Sequence, residues 1–289
     1  MQRQHIKTIS FAGLGLIGTS LLLALRRAAA KEGRSIEMIG YDPGFGPEDI
    51  ACITGTFGLD RFESDPAKLY HADLIVLCAP VVTNIALLEE IRRHAPQGTL
   101  VTDVSSTKST IASKAGALGL DFLGMHPIAG REQQGYRAAA PELLSGHLLI
   151  ICSGSGMPDA GRAGELLSLL EAAGCVPVVM TPEEHDRIYA NISHLPQLIS
   201  TALMNHCREN IGRSGPGFAS LARLSGSPWN VWRDIVITNN ENIAGELEAF
   251  AECLSAMAAE VRTLKLDELE SRFRDANRLY QSLQEGVRP

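Results

Sequence analysis

The sequence predicts an α/β fold: a Rossmann-type, doubly wound, mostly parallel sheet at the amino terminus, followed by an all-helical domain. Three observations carry this. Short β-rich runs alternate with helix-length segments from residue 6 to about 180, a glycine-rich turn joins the first run to the first helix, and no convincing strand follows residue 181. Strands separated by helices build βαβ units, whose crossovers cover both faces of a parallel sheet. The expected division is 1–181 and 182–289.

The strand candidates are Ile6–Ala12, Glu37–Tyr41, Asp73–Ala79, Thr99–Val104, Phe122–Met125, His147–Cys152 and Cys175–Met180. Thr181-Pro182-Glu183-Glu184 then reads as an N-cap, a proline at the first helical position and acidic residues in the first turn. In the helix that follows, Ile188, Ile192, Leu195, Ile199 and Leu203 recur at spacings of three and four. Asn191, His194 and Gln197 should form a polar stripe beside that apolar face, and Pro196 should kink the helix. The run 212–217 breaks it. Further on, Ile243, Leu247, Phe250, Leu254, Met257, Val261 and Leu264 trace a heptad seam, which needs a partner helix. A homodimer interface is expected there.

Composition narrows the ligand classes. Lys plus Arg is 26 and Asp plus Glu is 33, so the net charge is 26 − 33 = −7 over 289 residues. That balance offers no footing for a nucleic-acid backbone. The six cysteines are scattered without metal-ligand spacing, so no metal is expected and a reduced, cytoplasmic setting is. The amino terminus runs straight from strand to glycine turn without a separate leader pattern. The densest apolar run, Leu74 to Val82, is far shorter than the ~18 residues of a membrane span.

The strongest local motif is Gly13-Leu14-Gly15-Leu16-Ile17-Gly18, a G-x-G-x-x-G between strand and helix. Gly13 permits the tight turn, Gly15 lets a pyrophosphate approach the main chain, and Gly18 allows helix to pack on strand. Helix amides then face the phosphates. Asp42 ends the second strand, about two dozen residues on, where a carboxylate accepts hydrogen bonds from ribose hydroxyls and repels a 2′-phosphate. The expected cofactor is NAD in preference to NADP. A second glycine cluster, residues 153–158, lacks this spacing and reads as a plain βα turn, with Pro158 starting the next helix.

Ligands of such sheets sit outside the carboxyl ends of the strands. Here those ends carry Cys78-Ala79-Pro80, Asp103-Val104-Ser105-Ser106-Thr107-Lys108 and Gly124-Met125-His126-Pro127. Ala79, Pro80 and Ser105 should border the cofactor, and a histidine at position 126 is poised beside a nicotinamide.

These residues, with Ile128-Ala129-Gly130, Glu184-His185-Asp186, Ser193-His194-Leu195-Pro196, Arg223, Ser227-Pro228 and Trp232-Arg233-Asp234-Ile235, resemble the prephenate dehydrogenase family in order along nearly the whole chain. The resemblance implies NAD-linked oxidative decarboxylation of prephenate to 4-hydroxyphenylpyruvate on the route to tyrosine, or the corresponding reaction of arogenate. It implies that His126 is the catalytic histidine bonded to the substrate's ring hydroxyl, that Ser106 orients it, and that Arg223 holds a substrate carboxylate while His194 lines the pocket. Gln197 and Arg131 depart from the family pattern, a histidine and a small hydroxyl residue being common there, so they bear on which side chain is accepted. A structural or hinge role is expected for His185. If His126 acts as a neutral base of ordinary strength, kcat/KM should fall through a pKa of about 6.5.

Two other readings meet this sequence. A β-hydroxyacid dehydrogenase needs a lysine in its helical domain, and Lys265, in the seam helix, is the only lysine beyond residue 180. A non-catalytic NAD-sensing dimer would have no use for His126, Ser106 and Arg223 together.

Overall fold

Successive residues of a strand face opposite sides of the sheet, and here both sets are apolar, so both faces must be covered. A computed structural model describes residues 5–131, 133–154 and 156–285. It shows strands β1 (Thr8–Ala12), β2 (Glu37–Tyr41), β3 (Arg61–Phe62), β4 (Leu74–Leu77), β5 (Leu100–Asp103), β6 (Asp121–Pro127), β7 (Leu148–Cys152) and β8 (Val176–Met180). Interleaved with them are α1 (Leu16–Lys31), α2 (Pro47–Gly55), α3 (Pro66–Leu69), α4 (Val81–His94), α5 (Ser109–Ala117) and α6 (Gly161–Ala172). In β4, Leu74 and Val76 join the core beneath α1 and α6, whereas Ile75 and Leu77 join the core beneath α4 and α5.

The strands form one sheet in the order β3-β2-β1-β4-β5-β6-β7-β8. All neighbours are parallel except β6 and β7. The order reverses direction between β1 and β4, which is where a crevice opens in a doubly wound sheet. Two details differ from expectation. The edge strand β3 has two residues, too few for any alternation to show. The left-handed backbone of Gly161 (φ 64°) turns the chain before α6 can run, so Pro158 lies in the turn and does not start the helix.

The chain leaves the sheet at Met180 and becomes helical: α7 (Pro182–Tyr189), α8 (Leu195–His206), α9 (Pro216–Ala222), α10 (Trp229–Thr238), α11 (Asn240–Arg262) and α12 (Leu266–Gln284). The Thr181 hydroxyl accepts the Glu184 amide at 3.1 Å while the Glu184 carboxylate accepts the Thr181 amide at 3.3 Å, a reciprocal cap that starts α7. Between α7 and α8, residues Ala190–His194 form a π-helical turn. α11 and α12 are clipped by Arg272, whose guanidinium donates twice to Glu260 at 2.8 Å.

The helical part is riveted to the sheet part at two helix N-termini. Asp186 of α7 accepts the amides of Lys108 (2.7 Å) and Ser109 (2.8 Å) at the start of α5. Asp234 of α10 accepts the amide of Val82 in the first turn of α4 (3.4 Å). An N-terminal helix dipole favours a carboxylate, and neither helix carries a side-chain cap of its own. The Thr107 and Thr238 hydroxyls meet at 2.7 Å between these rivets.

Candidate active site

The glycine turn is built for close approach. Gly13 has φ 102°, and a Cβ there would lie 2.7 Å from the Cys78 carbonyl carbon; one at Gly18 would collide with the Gly13 carbonyl oxygen and lie 2.9 Å from Cys78 Cβ. A Cβ at Gly15 would meet nothing within 4 Å. Gly13 and Gly18 are thus required by the protein's own packing, and Gly15 keeps open the ground over the first amides of α1, which no side chain caps. Asp42 joins this turn from the end of β2: its carboxylate accepts the amides of Leu14 and Gly44, each at 2.9 Å. Each oxygen retains acceptor capacity for a ribose hydroxyl. These features fit a dinucleotide.

Strand register brings the remaining candidates to the same edge. Asp103 ends β5 opposite Gly124, so His126 lies two residues beyond the parallel ladder, held from the other side by its pairing with Ile150 of β7. Ser106 follows β5 and is half-buried with no hydrogen bond among the described residues, so its hydroxyl is available to a ligand. Ser105 is different. It is buried and its hydroxyl accepts from Asn84 Nδ2 at 3.0 Å; the same amide group donates to the Ala79 carbonyl, and Asn84 Oδ1 accepts the Ala79 amide. Asn84 therefore fixes the backbone of Ala79 before Pro80, so Ser105 bears on the crevice through that bond.

Beneath this edge lies a continuous polar chain. His126 Nδ1 is 2.9 Å from His185 Nε2, and His185 Nδ1 is 2.8 Å from Asp186 Oδ1. His185 stacks on Tyr189 with ring centroids 4.5 Å apart, and His126 meets Tyr189 edge-on at 5.1 Å. Lys108, fully buried, pairs with Asp103 and donates to the Met125 carbonyl at 2.8 Å; Gly124 lets its stem pass, with a Cβ there 3.3 Å from Lys108 Cδ. Burial first, then the nearby His185, Lys108 and His194, holds the His126 imidazole well below its ordinary range. Burial likewise lowers His185 and takes His194 down to about 4. Asp186 stays ionised because hydrogen bonds from His185, Ser109 and Lys108 outweigh the burial that opposes its charge. All three histidines are neutral near pH 7. His126 is half-buried, and its Nε2 makes no protein hydrogen bond among the described residues.

His194 is buried, with Nδ1 3.3 Å from Asn239 Nδ2, which also donates to the Asp186 carbonyl at 2.8 Å. Trp232 meets the His194 ring edge-on at 5.9 Å. Gln197 is buried too, but its amide is engaged: Nε2 donates to the Leu224 carbonyl at 2.7 Å and Oε1 accepts from Ser227 at 3.1 Å. It holds the turn that carries Arg223, itself exposed and without an ion pair among the described residues. Arg131 is exposed on the loop after β6.

The expected stripe of Asn191, His194 and Gln197 is not formed. The π-helical turn adds a residue to the helix, which rotates Asn191 outward to Glu246 (2.6 Å) and leaves Ile192 61% exposed while His194 turns inward. Pro196 falls in the first turn of α8, directly after this bulge, where its missing N–H is accommodated. His185 has more than a hinge position, since it touches His126. A regular helical phase measured from His194 hides this; Asp186 entered only as part of the family resemblance, and Asn239 gave no signal of its own.

The Prephenate dehydrogenase nucleotide-binding domain model matches residues 25–179, and the Prephenate dehydrogenase dimerization domain model matches residues 181–275. A prephenate dehydrogenase of Bacillus subtilis (strain 168) is 30% identical over 279 residues, covering 92% of this chain and 72% of that protein. The chain belongs to the prephenate dehydrogenase family. Within that family its first domain is the nucleotide-binding one and its second the dimerization one, and the protein is an enzyme of the oxidoreductase class. The glycine turn precedes the matched stretch of the first domain, so its reading rests on the geometry above.

Solved structures agree on the fold. Synechocystis arogenate dehydrogenase superimposes with a TM-score of 0.81 at 26% identity, over 96% of this chain and 99% of that one. Prephenate dehydrogenase from A. aeolicus, in complex with hydroxyphenyl propionate and NAD+, gives 0.85 at 24% identity, over 96% and 99%.

Proposed function

We propose that this prephenate dehydrogenase family member converts prephenate to 4-hydroxyphenylpyruvate with NAD, on the route to tyrosine. The observation that carries the reading is His126: a neutral, half-buried imidazole at the carboxyl end of β6, its Nε2 without a hydrogen-bond partner among the described residues, on the same sheet edge as the glycine turn and the Ser106 hydroxyl. NAD, when bound, supplies the hydride acceptor. Gly13, Leu14, Gly15, Leu16, Ile17 and Gly18 seat its pyrophosphate, Asp42 takes the adenosine ribose, and Ala79, Pro80 and Ser105 border the rest.

His126 Nε2 accepts the proton of the substrate's ring hydroxyl as the carbonyl forms, and Ser106 holds that hydroxyl in line. Arg223 anchors a carboxylate of the dianion, with His194 beside it and Arg131 at the mouth. Loss of carbon dioxide is driven by formation of an aromatic ring, so the protein's part is alignment and the handling of one proton, taken by His126 as the carbonyl forms and returned to the phenolate oxygen once carbon dioxide has left.

The helical part, residues 182–289, is proposed to form a homodimer. The supporting observation is that the seam shows Leu254 and Val261 half-exposed, while Phe273 and Leu283 of α12 are 69% and 74% exposed. Among the described residues no helix is long and apolar enough to cross a membrane. The six cysteines are all free thiols, which supports a cytoplasmic setting.

Arogenate is the second reading, favoured by the likeness to the Synechocystis arogenate dehydrogenase. Following NADH absorbance with prephenate and arogenate side by side tests both. Turnover of prephenate at the higher kcat/KM supports the proposal; a reversed preference assigns arogenate, and no NADH from either overturns the enzyme reading.

A further inference from the structure

We infer that His185 and Asp186 are positioning residues: they fix His126 as the Nδ1–H tautomer, so that its Nε2 is the lone-pair nitrogen. The inference rests on His126 being the base proposed above and adds the reason it can be one.

Donors and acceptors along the chain admit one assignment. Asp186 is an ionised carboxylate and can only accept. It already accepts the Lys108 and Ser109 amides of α5, so its orientation is set by the helix it caps, not by His185. With Asp186 Oδ1 2.8 Å away, His185 Nδ1 must carry the hydrogen. A neutral His185 then has its lone pair on Nε2. That atom lies 2.9 Å from His126 Nδ1, which must therefore donate. The remaining nitrogen of His126 is left as an acceptor.

The neighbours keep this polarity from reversing. A protonated His185 would donate from Nε2, force His126 Nδ1 to accept, and leave Nε2–H facing the ligand, with no base. His185 is completely buried and stacked on Tyr189, and the Lys108 ammonium lies close by, balanced by Asp103; both features oppose a second positive charge. His194 is buried and neutral, and the Cys152 thiol, pushed up to about 12 by burial, adds no charge. The same logic orders serine-protease triads, where a buried carboxylate selects the useful tautomer of a histidine; here one more imidazole is interposed. The carboxylate comes from the helical part, whereas the α5 amides and His126 belong to the sheet part. Seating the two parts on each other and arming the base are thus one event.

Long-range proton–nitrogen correlation NMR on protein labelled with 15N-histidine reads the tautomer directly, with His126→Asn used to assign the His126 signals. The expected result is His126 with Nδ1 protonated and Nε2 bare. An Nε2–H ring, or an even mixture of tautomers, overturns the inference whatever the enzyme's activity. Conversely, an Nδ1–H ring in a protein that oxidises neither prephenate nor arogenate would count against the proposed function alone.

Two variants separate positioning from packing. His185→Phe keeps a ring against Tyr189 but offers His126 no acceptor; kcat should fall about 10²-fold with KM for NAD unchanged. His185→Gln places Oε1 near the lost Nε2, can accept from His126, and should recover most of that loss. Equal loss in both variants, with His126 still Nδ1–H in each, would mean that His185 only fills space.

Discussion

Asp42 accepts a hydrogen bond from the Leu14 amide at 2.9 Å, so the carboxylate proposed to read the ribose also pins the glycine turn. Asp42→Asn keeps one oxygen for Leu14 and removes the charge that repels a 2′-phosphate. The ratio of kcat/KM for NAD over NADP should narrow by about tenfold or more, the equivalent of about 1.4 kcal/mol. Asp42→Ala should also raise KM for both cofactors, because the turn loses its tie. Steady-state kinetics with each cofactor measure this, and an unchanged ratio in Asp42→Asn would place ribose recognition elsewhere.

The glycines of the turn should separate into two behaviours. Gly18→Ala drives a methyl into the Gly13 carbonyl and Cys78 Cβ, so thermal stability should drop by about 1–3 kcal/mol, as overpacking does. Gly15→Ala meets no protein atom within 4 Å and should melt like the parent while KM for NAD rises. A calorimetric scan beside NAD titration makes the comparison. Equal melting loss in the two variants would mean that the ground above Gly15 belongs to the fold and not to a ligand.

The fold was legible because its signals are local. Alternating strands and helices, the glycine spacing and the Thr181–Glu184 cap each occupy a few consecutive residues. The ends of β4, β5 and β6 marked the edge where ligands sit, and so pointed to Ser106 and His126. What lay hidden is contact between distant segments. His185 reaches His126 from 59 positions away, and Gln197 reaches Leu224 from 27. The π-helical turn at Ala190–His194 defeats any reading at a fixed 3.6-residue period, which is why Asn191 was expected on the wrong side. Lys108 shows a further limit: nothing beside it in the chain signals its burial, which depends on the room that Gly124 leaves for its stem.

His126 should work at lower pH than an ordinary imidazole. Its neutral form is the active one, and burial with nearby His185, Lys108 and His194 lowers its pKa. The acid limb of kcat/KM should therefore fall below pH 6.5, not at it as the sequence alone suggests. His126→Asn should cost about 10²–10⁴ in kcat with little change in KM for NAD. A pH profile of the parent enzyme with its midpoint at or above 6.5 would contradict the buried environment, and normal turnover by the variant would remove His126 from the chemistry.

Arg223 tests how the dianion is held. It is exposed, has no ion pair among the described residues, and sits on a turn fastened to α8 by Gln197 and by the Ser200 hydroxyl, which accepts the Ser225 amide at 3.0 Å. Arg223→Ala should raise KM for prephenate by about 10–100-fold while leaving KM for NAD and the melting temperature near the parent values. Equal rises for both substrates would indicate that the turn, not the charge, had been disturbed.

Stability should depend on the same histidines in a defined pH window. His126, His185 and His194 all have folded-state pKa values lowered by burial, His194 to about 4, whereas in the unfolded chain each titrates near 6.5. As pH falls below about 6.5 the unfolded chain takes up protons that the folded one does not, so unfolding becomes easier. Each histidine contributes a slope of up to about 1.4 kcal/mol per pH unit, which ends once the folded form also titrates. Asp186 acts in the same direction and lower down: its lowered pKa contributes stability that is present above about 3.9 and lost on further acidification. Melting temperature should hence be level at neutral pH and fall steeply between 6.5 and 4. Replacing His194 by Asn should flatten that fall by about one proton's worth, even if it lowers stability throughout. An unchanged slope would mean that His194 is not held neutral in the folded protein.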